Sequence, residues 1–395
     1  MTARWQLKRL GDIFEVARGG SPRPIEQFIT DRPDGLNWIK IGDASASGKF
    51  IERTKEKIKR EGLSKTRFVS PGDFLLTNSM SFGRPYIMAT EGCIHDGWLV
   101  LKPRVKDAVH PDYFYHLLGS DAVYNQFAAR AGGSTVKNLN SEIVASIEVR
   151  LPPVNDQRRI AATLDKADAL RRKRKRAIEL LDSLTQSIFL EMFGDPDTNP
   201  KRFQRGVIGD LLEDTQYGTS AKAGEAGAFP ILRMGNVTND GRIVVDDLKF
   251  IDLSDKEVEK YTVRKGDILF NRTNSVDLVG KSAVFGIEEP FAFAGYLVRA
   301  RTKNSISPHY VAGYLNSRHG KATLRNMAKS IVGMANINAK EMASISILIP
   351  DADSQHRYTT ALTSVGDQRM RLEKQLRHTN SLFSSLQSRA FSGQL

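Results

Sequence analysis

One cysteine in 395 residues, Cys93, leaves no partner for an intramolecular disulfide and no thiolate set for a zinc site. Long apolar runs are missing as well. Nothing approaches the roughly 20 residues a membrane-spanning helix needs, and mean hydropathy is −0.35. Four chemistry-bearing patterns are also missing: the G-x-x-x-x-G-K-[ST] phosphate loop, the G-x-G-x-x-G cofactor turn, the G-x-S-x-G elbow and the H-E-x-x-H pair. The seven histidines are scattered, and Cys93 with His95 reads as a small buried thiol beside a surface or capping imidazole. An enzyme acting through this chain alone is therefore not expected, nor is a metal site. The opening residues Met1 to Gln6 form no hydrophobic targeting segment, so the expected location is the cytoplasm.

Acidic residues are in short supply. Lys plus Arg number 58 against 45 Asp plus Glu, a formal charge of +13 and a pI near 9.7, which makes a polyanion the expected partner. The hydrophobic fraction of 40% is ordinary for a globular chain with material for two or three compact domains.

What the sequence does contain is repetition. Ile147 and Leu151-Pro152 recur as Ile345 and Ile349-Pro350, Asn138-Leu139-Asn140 as Asn336-Ile337-Asn338, and Gln157-Arg158-Arg159-Ile160 as Gln355-His356-Arg357-Tyr358, all offset by 198. Upstream the offset is 198 in places and drifts by a few residues in others, as loop insertions would cause. Leu10-Gly11-Asp12-Ile13 matches Ile208-Gly209-Asp210-Leu211, and Pro71-Gly72-Asp73-Phe74-Leu75 matches Lys265-Gly266-Asp267-Ile268-Leu269. Gly97-Trp98-Leu99-Val100 is aligned with Gly295-Tyr296-Leu297-Val298.

Each half has the same plan: about 150 residues of strand and loop signals, then a long stretch poor in proline and glycine. The expected domains are 1–153 and 195–350, with helical spacers at 154–194 and 351–395. Steps of four and three residues mark a seam through Ile160, Leu164, Ala167, Arg171, Arg174, Ile178, Leu181, Thr185, Ile188 and Met192. The second seam runs through Tyr358, Leu362, Val365, Arg369, Leu372, Leu376, Thr379, Phe383, Leu386 and Ala390. Each spans roughly 50 Å at the rise of an α-helix, enough to act as a spacer. Ordinary core helices of two independent domains are the alternative. The expected fold class is α+β: two similar globular domains separated by two long antiparallel coiled-coil helices, pseudo-two-fold through internal duplication.

Candidate DNA contacts lie in the polar loops, because Arg suits guanine, Asn suits adenine, and Lys or Ser can position phosphates. In the second half they are Asn271, Arg272, Asn274, Ser275 and Lys281; in the first, Asn78, Ser79, Ser81 and Arg84. A second pair of loops adds Lys137 and Asn138, with Asn336. Asn, Ser and Gly also serve turns, so a turn reading stands beside each. Trp98 and Tyr296 are read as core aromatics. The run Arg171-Arg172-Lys173-Arg174-Lys175-Arg176 covers more than a helical turn, so part of it touches phosphate or is solvated or partner-facing.

Leu151-Pro152-Pro153-Val154-Asn155-Asp156-Gln157-Arg158-Arg159-Ile160, the Phe189 to Pro196 segment and the Gly266 to Arg272 segment closely resemble the specificity subunits of type I restriction-modification systems, over nearly the whole chain. Asp351-Ala352-Asp353-Ser354 departs from the family's helix opening, while Gln355 and Arg357 keep their places. The resemblance implies two target recognition domains, each reading half of a split, non-palindromic site on double-stranded DNA, with the helices as a ruler. It implies two modification subunits that methylate adenine with S-adenosylmethionine, and restriction subunits that use ATP and Mg. No cofactor is expected in this chain itself and no membrane is involved. A freestanding coiled-coil DNA-binding regulator is the alternative; a nuclease or methyltransferase fused to recognition domains is opposed by the missing motifs.

Overall fold

A computed structural model describes residues 5–45, 48–78, 82–131, 138–331 and 334–395. Ser79, Ser81 and Lys137, three of the candidate contacts, lie outside the described residues. The chain divides into two compact units, Met1–Arg174 with Gln375–Leu395, and Lys175–Lys374. Each holds an α+β domain and a pair of long-helix segments.

In the first unit a five-stranded sheet runs Phe14–Arg18, Trp98–Pro103, Phe74–Thr77, Pro85–Met88 and Phe50–Ile51, and a second five-stranded sheet is centred on Leu36–Ile39. Strand alternation divides the residues of the first sheet between two cores. Leu75, Trp98 and Val100 join Ile39, Val69 and Ile94 in one core. Phe74, Leu76, Leu99 and Leu101 face the other, with the helices Pro111–Leu118 and Asp121–Arg130 and the long-helix residues Ile160, Leu164, Phe383 and Ala390. A strand covered on both faces reads as an unbroken apolar run, which is why Phe74-Leu75-Leu76 does not alternate in sequence.

The second unit repeats the scheme. Ile268, Phe270, Val298 and Ala300 face the helix-side core, while Leu269 and Leu297 face the other. The duplication extends to pairing register: Gln6 opposes Leu151 and Lys8 opposes Val149, as Gln204 opposes Ile349 and Gly206 opposes Ile347. Leu10 N donates to Ile147 O at 2.8 Å, and Ile208 N to Ile345 O at 2.9 Å. The repeated Gly-Asp pairs are turn devices. Gly72 and Gly266 have φ of +92° and +94°, which suits glycine, and Asp73 and Asp267 accept the main-chain N–H of Ser70 and of Arg264, each at 2.9 Å.

The two long helices are Val154–Phe193 and Ala352–Ser392. In the first unit their segments are antiparallel: Arg159 Nη2 donates to Leu395 O at 2.9 Å and Arg174 Nη1 to Gln375 O at 2.8 Å. In the second unit the order is antiparallel again, with Phe193 and Phe189 against Tyr358 at ring distances of 5.2 and 5.7 Å and Asp182 paired with Arg369. No seam position is fully exposed on either helix, Ile178, Leu181, Ile188, Leu362, Val365, Leu372, Leu376 and Leu386 being partly buried. The arginines in the first seam are accommodated by using their flat heads: Arg171 lies 4.4 Å over the Phe383 ring.

Candidate nucleic-acid interface

In the second unit the two polar segments proposed from sequence form one surface. Thr273–Asn274 and Met334–Asn336 are neighbouring antiparallel strands, with Thr273 opposite Asn336. The Arg272 guanidinium stacks 4.9 Å over the Tyr217 ring. Its Nη2 reaches Asn336 Oδ1 and its Nη1 reaches Gly295 O, both at a long 3.5 Å, and Nε has no hydrogen-bond partner. A rigidly stacked guanidinium with donors to spare can take a further acceptor, as a base edge or phosphate would supply. Tyr217 is itself pinned, its hydroxyl accepting the Ala339 N–H at 3.0 Å. Around this platform stand exposed Tyr296, Met334 and Ser275; Asn274 is partly buried and accepts the Ser275 N–H at 2.9 Å, closing the turn.

Burial removes three candidates from the contact surface. Asn271 is fully buried, its carboxamide donating to Met234 O at 3.4 Å. Lys281 donates to the same carbonyl at 3.0 Å, and burial lowers its affinity for a proton. Asn78 is 5% exposed and donates to Asp96 O at 2.7 Å. The reason lies in the neighbouring turns: the Met234 and Asp96 carbonyls must be satisfied away from water, so the polar heads turn inwards to them. Arg84 and Asn138 remain exposed, Arg84 lying 5.2 Å over the Tyr86 ring.

The first unit builds the same frame with different side chains. Asn78 N donates to Gly97 O at 3.1 Å and Leu139 N to Asn78 O at 2.9 Å; Arg272 N donates to Tyr296 O at 3.0 Å and Ile337 N to Arg272 O at 2.9 Å. Thus Asn78 occupies the place of Arg272, Gly97 that of Tyr296, and Asn138 that of Asn336. Arg18 stands where Tyr217 does, Leu99 pairing with Arg18 as Val298 pairs with Tyr217. Arg18 Nε donates to Asp96 O at 3.0 Å, and Asp96 accepts Ser21 Oγ at 2.9 Å, which together with Arg18 and His95 holds its carboxyl below the usual range. His95 Nδ1 accepts the Gly97 N–H at 2.7 Å, a capping imidazole whose burial disfavours protonation.

This register corrects the reading of Trp98 and Tyr296 as twin core aromatics. Trp98 opposes Thr77 as Leu297 opposes Asn271, so the partner of Trp98 is Leu297. Trp98 is fully buried, whereas Tyr296 lies one residue earlier, in the turn, and is 51% exposed. A slip of one position on a strand exchanges faces. Tyr217 is the residue that the sequence reading did not single out, and Tyr296 one that it placed in the core; the visible signal was a tyrosine just before Gly218 and another just after Gly295.

Much of the basic run is occupied within the protein. Arg171 and Arg172 pair with Asp168 at 3.2 and 3.3 Å, and Arg176 with Glu179 at 3.4 Å, while Lys173 and Lys175 are exposed. Among the described residues, one group has metal-ligand chemistry, Asp195, Asp197 and His319 within 4.8 Å, and there His319 Nδ1 lies within hydrogen-bond distance of Asp197, at 3.2 Å. No helix among the described residues is long and apolar enough to cross a membrane.

The family described as the type I restriction modification DNA specificity domain matches this chain twice, over residues 3–180 and 200–379. The type I restriction enzyme EcoKI specificity subunit of Escherichia coli (strain K12) is 21% identical over 419 residues, covering 99% of this chain and 89% of its own. The StySPI specificity subunit of Salmonella potsdam is 25% identical over 418 residues with the same coverages, 99% and 89%. Solved structures share the fold. One, described in terms of complex assembly and conformational transition of the type I R-M system, gives a TM-score of 0.62 at 18% identity, covering 100% of this chain and 99% of that one. The type I S subunit from M. genitalium gives 0.56 at 14% identity, covering 98% and 96%. Both halves match the same domain, in the order that the internal repeat requires, and the chain belongs to the family of type I restriction-modification specificity subunits.

Proposed function

We propose that this chain reads a split, non-palindromic site on double-stranded DNA, one half per globular unit, and conveys that choice to two modification subunits that methylate adenine with S-adenosylmethionine. Restriction subunits using ATP and Mg join the same assembly, which works on DNA in the cytoplasm. The long helices serve as the spacer between the two readings and as docking surface for the modification subunits, with Lys173 and Lys175 available for phosphate or partner. The target adenine is flipped into a modification subunit while this chain holds the flanking duplex.

One observation carries the reading: a single main-chain frame occurs in both units and presents different polar groups, Arg18 and Asn138 in one and Tyr217, Arg272 and Asn336 in the other, with Asn78 turned inwards at the place of Arg272. Equal frames with unequal side chains suit two unlike half-sites. Phosphate contacts would place each unit, and Arg272 would read a base edge in the second half-site, with guanine the natural match for a bidentate guanidinium.

The test is to map methylated adenines in a host expressing this chain with its modification subunit. Methylation should fall on one bipartite sequence. Arg272→Ala should relax the base preference in one half by about 10- to 100-fold, the value of one good bidentate contact. Scattered methylation, or equal loss of discrimination in both halves, would refute the assignment.

A further inference from the structure

The helix Arg318–Met327 packs against the loop that follows the reading strand. A Cβ on Gly280, at φ +77°, would lie 2.6 Å from Leu324 Cδ1. In the first unit Gly83, at φ +78°, meets Phe127 in the same way. One turn earlier on each helix the units differ. Tyr124 stacks on Phe82 at 5.3 Å, closing the site with aromatic surface. Its counterpart is Lys321, whose Nζ is shielded from solvent and has no hydrogen-bond acceptor in the structure. The charges acting on it are Lys281 and Arg325, both of the same sign, and Arg325 lies one turn further along the same helix face.

Two cations beside a buried, acceptor-free ammonium make an unfavourable arrangement unless something anionic completes it. Burial first, and then Lys281 and Arg325, pull Lys321 down to about 8, so it is still largely protonated at neutral pH. A methionine or leucine would fill the same space without that cost.

We propose that Lys321, Lys281 and Arg325 form a phosphate site, occupied by a backbone phosphate of the DNA beside the second half-site. The inference rests on the DNA-reading function above and assigns it an anchoring point distinct from Arg272. Lys281 keeps its bond to Met234 O and contributes charge from beneath, while Arg325, exposed, meets the duplex first and Lys321 turns its shielded Nζ outwards to supply the free donors. Such a contact positions the protein without reading sequence.

The experiment measures binding of the full-length chain to a duplex carrying its site and to an unrelated duplex, across a salt series. Lys321→Met should weaken both several-fold and reduce the slope of log affinity against log salt by about one, while Lys321→Arg keeps the slope. The same Lys321→Met variant should melt no lower than the parent, since it removes an unpaired buried charge. A clear drop in its melting temperature would mean that Lys321 has a protein partner, and would overturn the proposal. So would an unchanged slope, even if inorganic phosphate alone raised the parent's melting temperature through Lys321, because the anion would then not come from DNA. Loss of any preference between the two duplexes in the parent would instead refute the reading function. A preserved preference with an unchanged slope refutes only this site.

Discussion

The main-chain N–H of His110 donates to the side-chain carbonyl of Gln157 at 2.9 Å, tying the start of a domain helix to the start of the first long helix. The same carboxamide donates to Pro152 O at 3.0 Å. In the other unit Gln355 accepts the Ser307 N–H at 2.8 Å and donates to Pro350 O at 2.9 Å. Both glutamines are almost fully buried, at 1% and 3% exposure. The repeated Gln is therefore a clamp that fixes where each long helix leaves its domain.

Gln157→Ala should leave the His110 N–H and the Pro152 carbonyl without their partner in a buried setting, costing about 2 to 3 kcal/mol. Gln355→Ala should cost a similar amount. Denaturant unfolding of each variant, followed by limited proteolysis to locate the weakened unit, measures this; loss below about 0.5 kcal/mol would refute the clamp.

Tyr217 acts on Arg272 from beneath, so its two substitutions should separate. Tyr217→Phe loses the hydroxyl bond to Ala339 but keeps the ring, and should retain second-half-site preference within a few-fold. Tyr217→Ala frees the guanidinium and should lower that preference about tenfold, with no effect on the first half-site. Competition binding with duplexes altered in one half reads the difference.

Acid should weaken the first unit in two stages. His116 is 3% exposed and contacts Asp165 at 2.8 Å, while Lys49 bonds the same carboxylate at 3.0 Å. Burial holds His116 below the usual 6.5 despite the pull of Asp165 and Asp168, with Lys49 opposing protonation too. The folded state thus takes up this proton less readily than the unfolded chain, and stability falls as pH drops from about 6.5 towards the folded value. Burial also opposes ionisation of Asp165, but bonds from His116 and Lys49 outweigh it and hold the carboxyl below 3.8. Its contribution is complete above 3.8 and is lost as pH falls through the folded value. His116→Gln should abolish the first stage and leave the second, carried by the Lys49 bond to Asp165, as denaturant midpoints between neutral pH and about pH 2 will show.

Cys93 should be chemically silent. It is fully buried beside Trp38 and Ile58, and burial pushes its thiol up to about 11. A thiol-alkylating reagent at about pH 8 should leave the native chain unmodified and add one label after unfolding. Rapid native labelling would show that the strand Gly92–Ile94 opens.

The duplication, the helix seams and the family were legible because they are written as spacing. The offset of 198 that joins Gln157 to Gln355 also joins Leu10 to Ile208, and the structure preserves both pairs of bonds. Candidate contacts were legible only in part. Arg272 and Asn336 meet, but Asn78, Asn271 and Lys281 turn inwards to satisfy carbonyls that no sequence pattern marks. The Trp98 and Tyr296 alignment failed by one residue, an error that leaves a sequence match almost unchanged yet carries a side chain from core to solvent.

Sequence alone determined that this is a duplicated, basic chain with two long amphipathic helices, since repeats, charge and periodicity are properties of order along the chain. Tertiary structure alone decided which polar side chains are free to meet another molecule. That depends on which carbonyls and rings lie within a few ångströms, and such neighbours, Tyr217 and Arg272 or Asn78 and Asp96, are brought together from distant parts of the chain by folding.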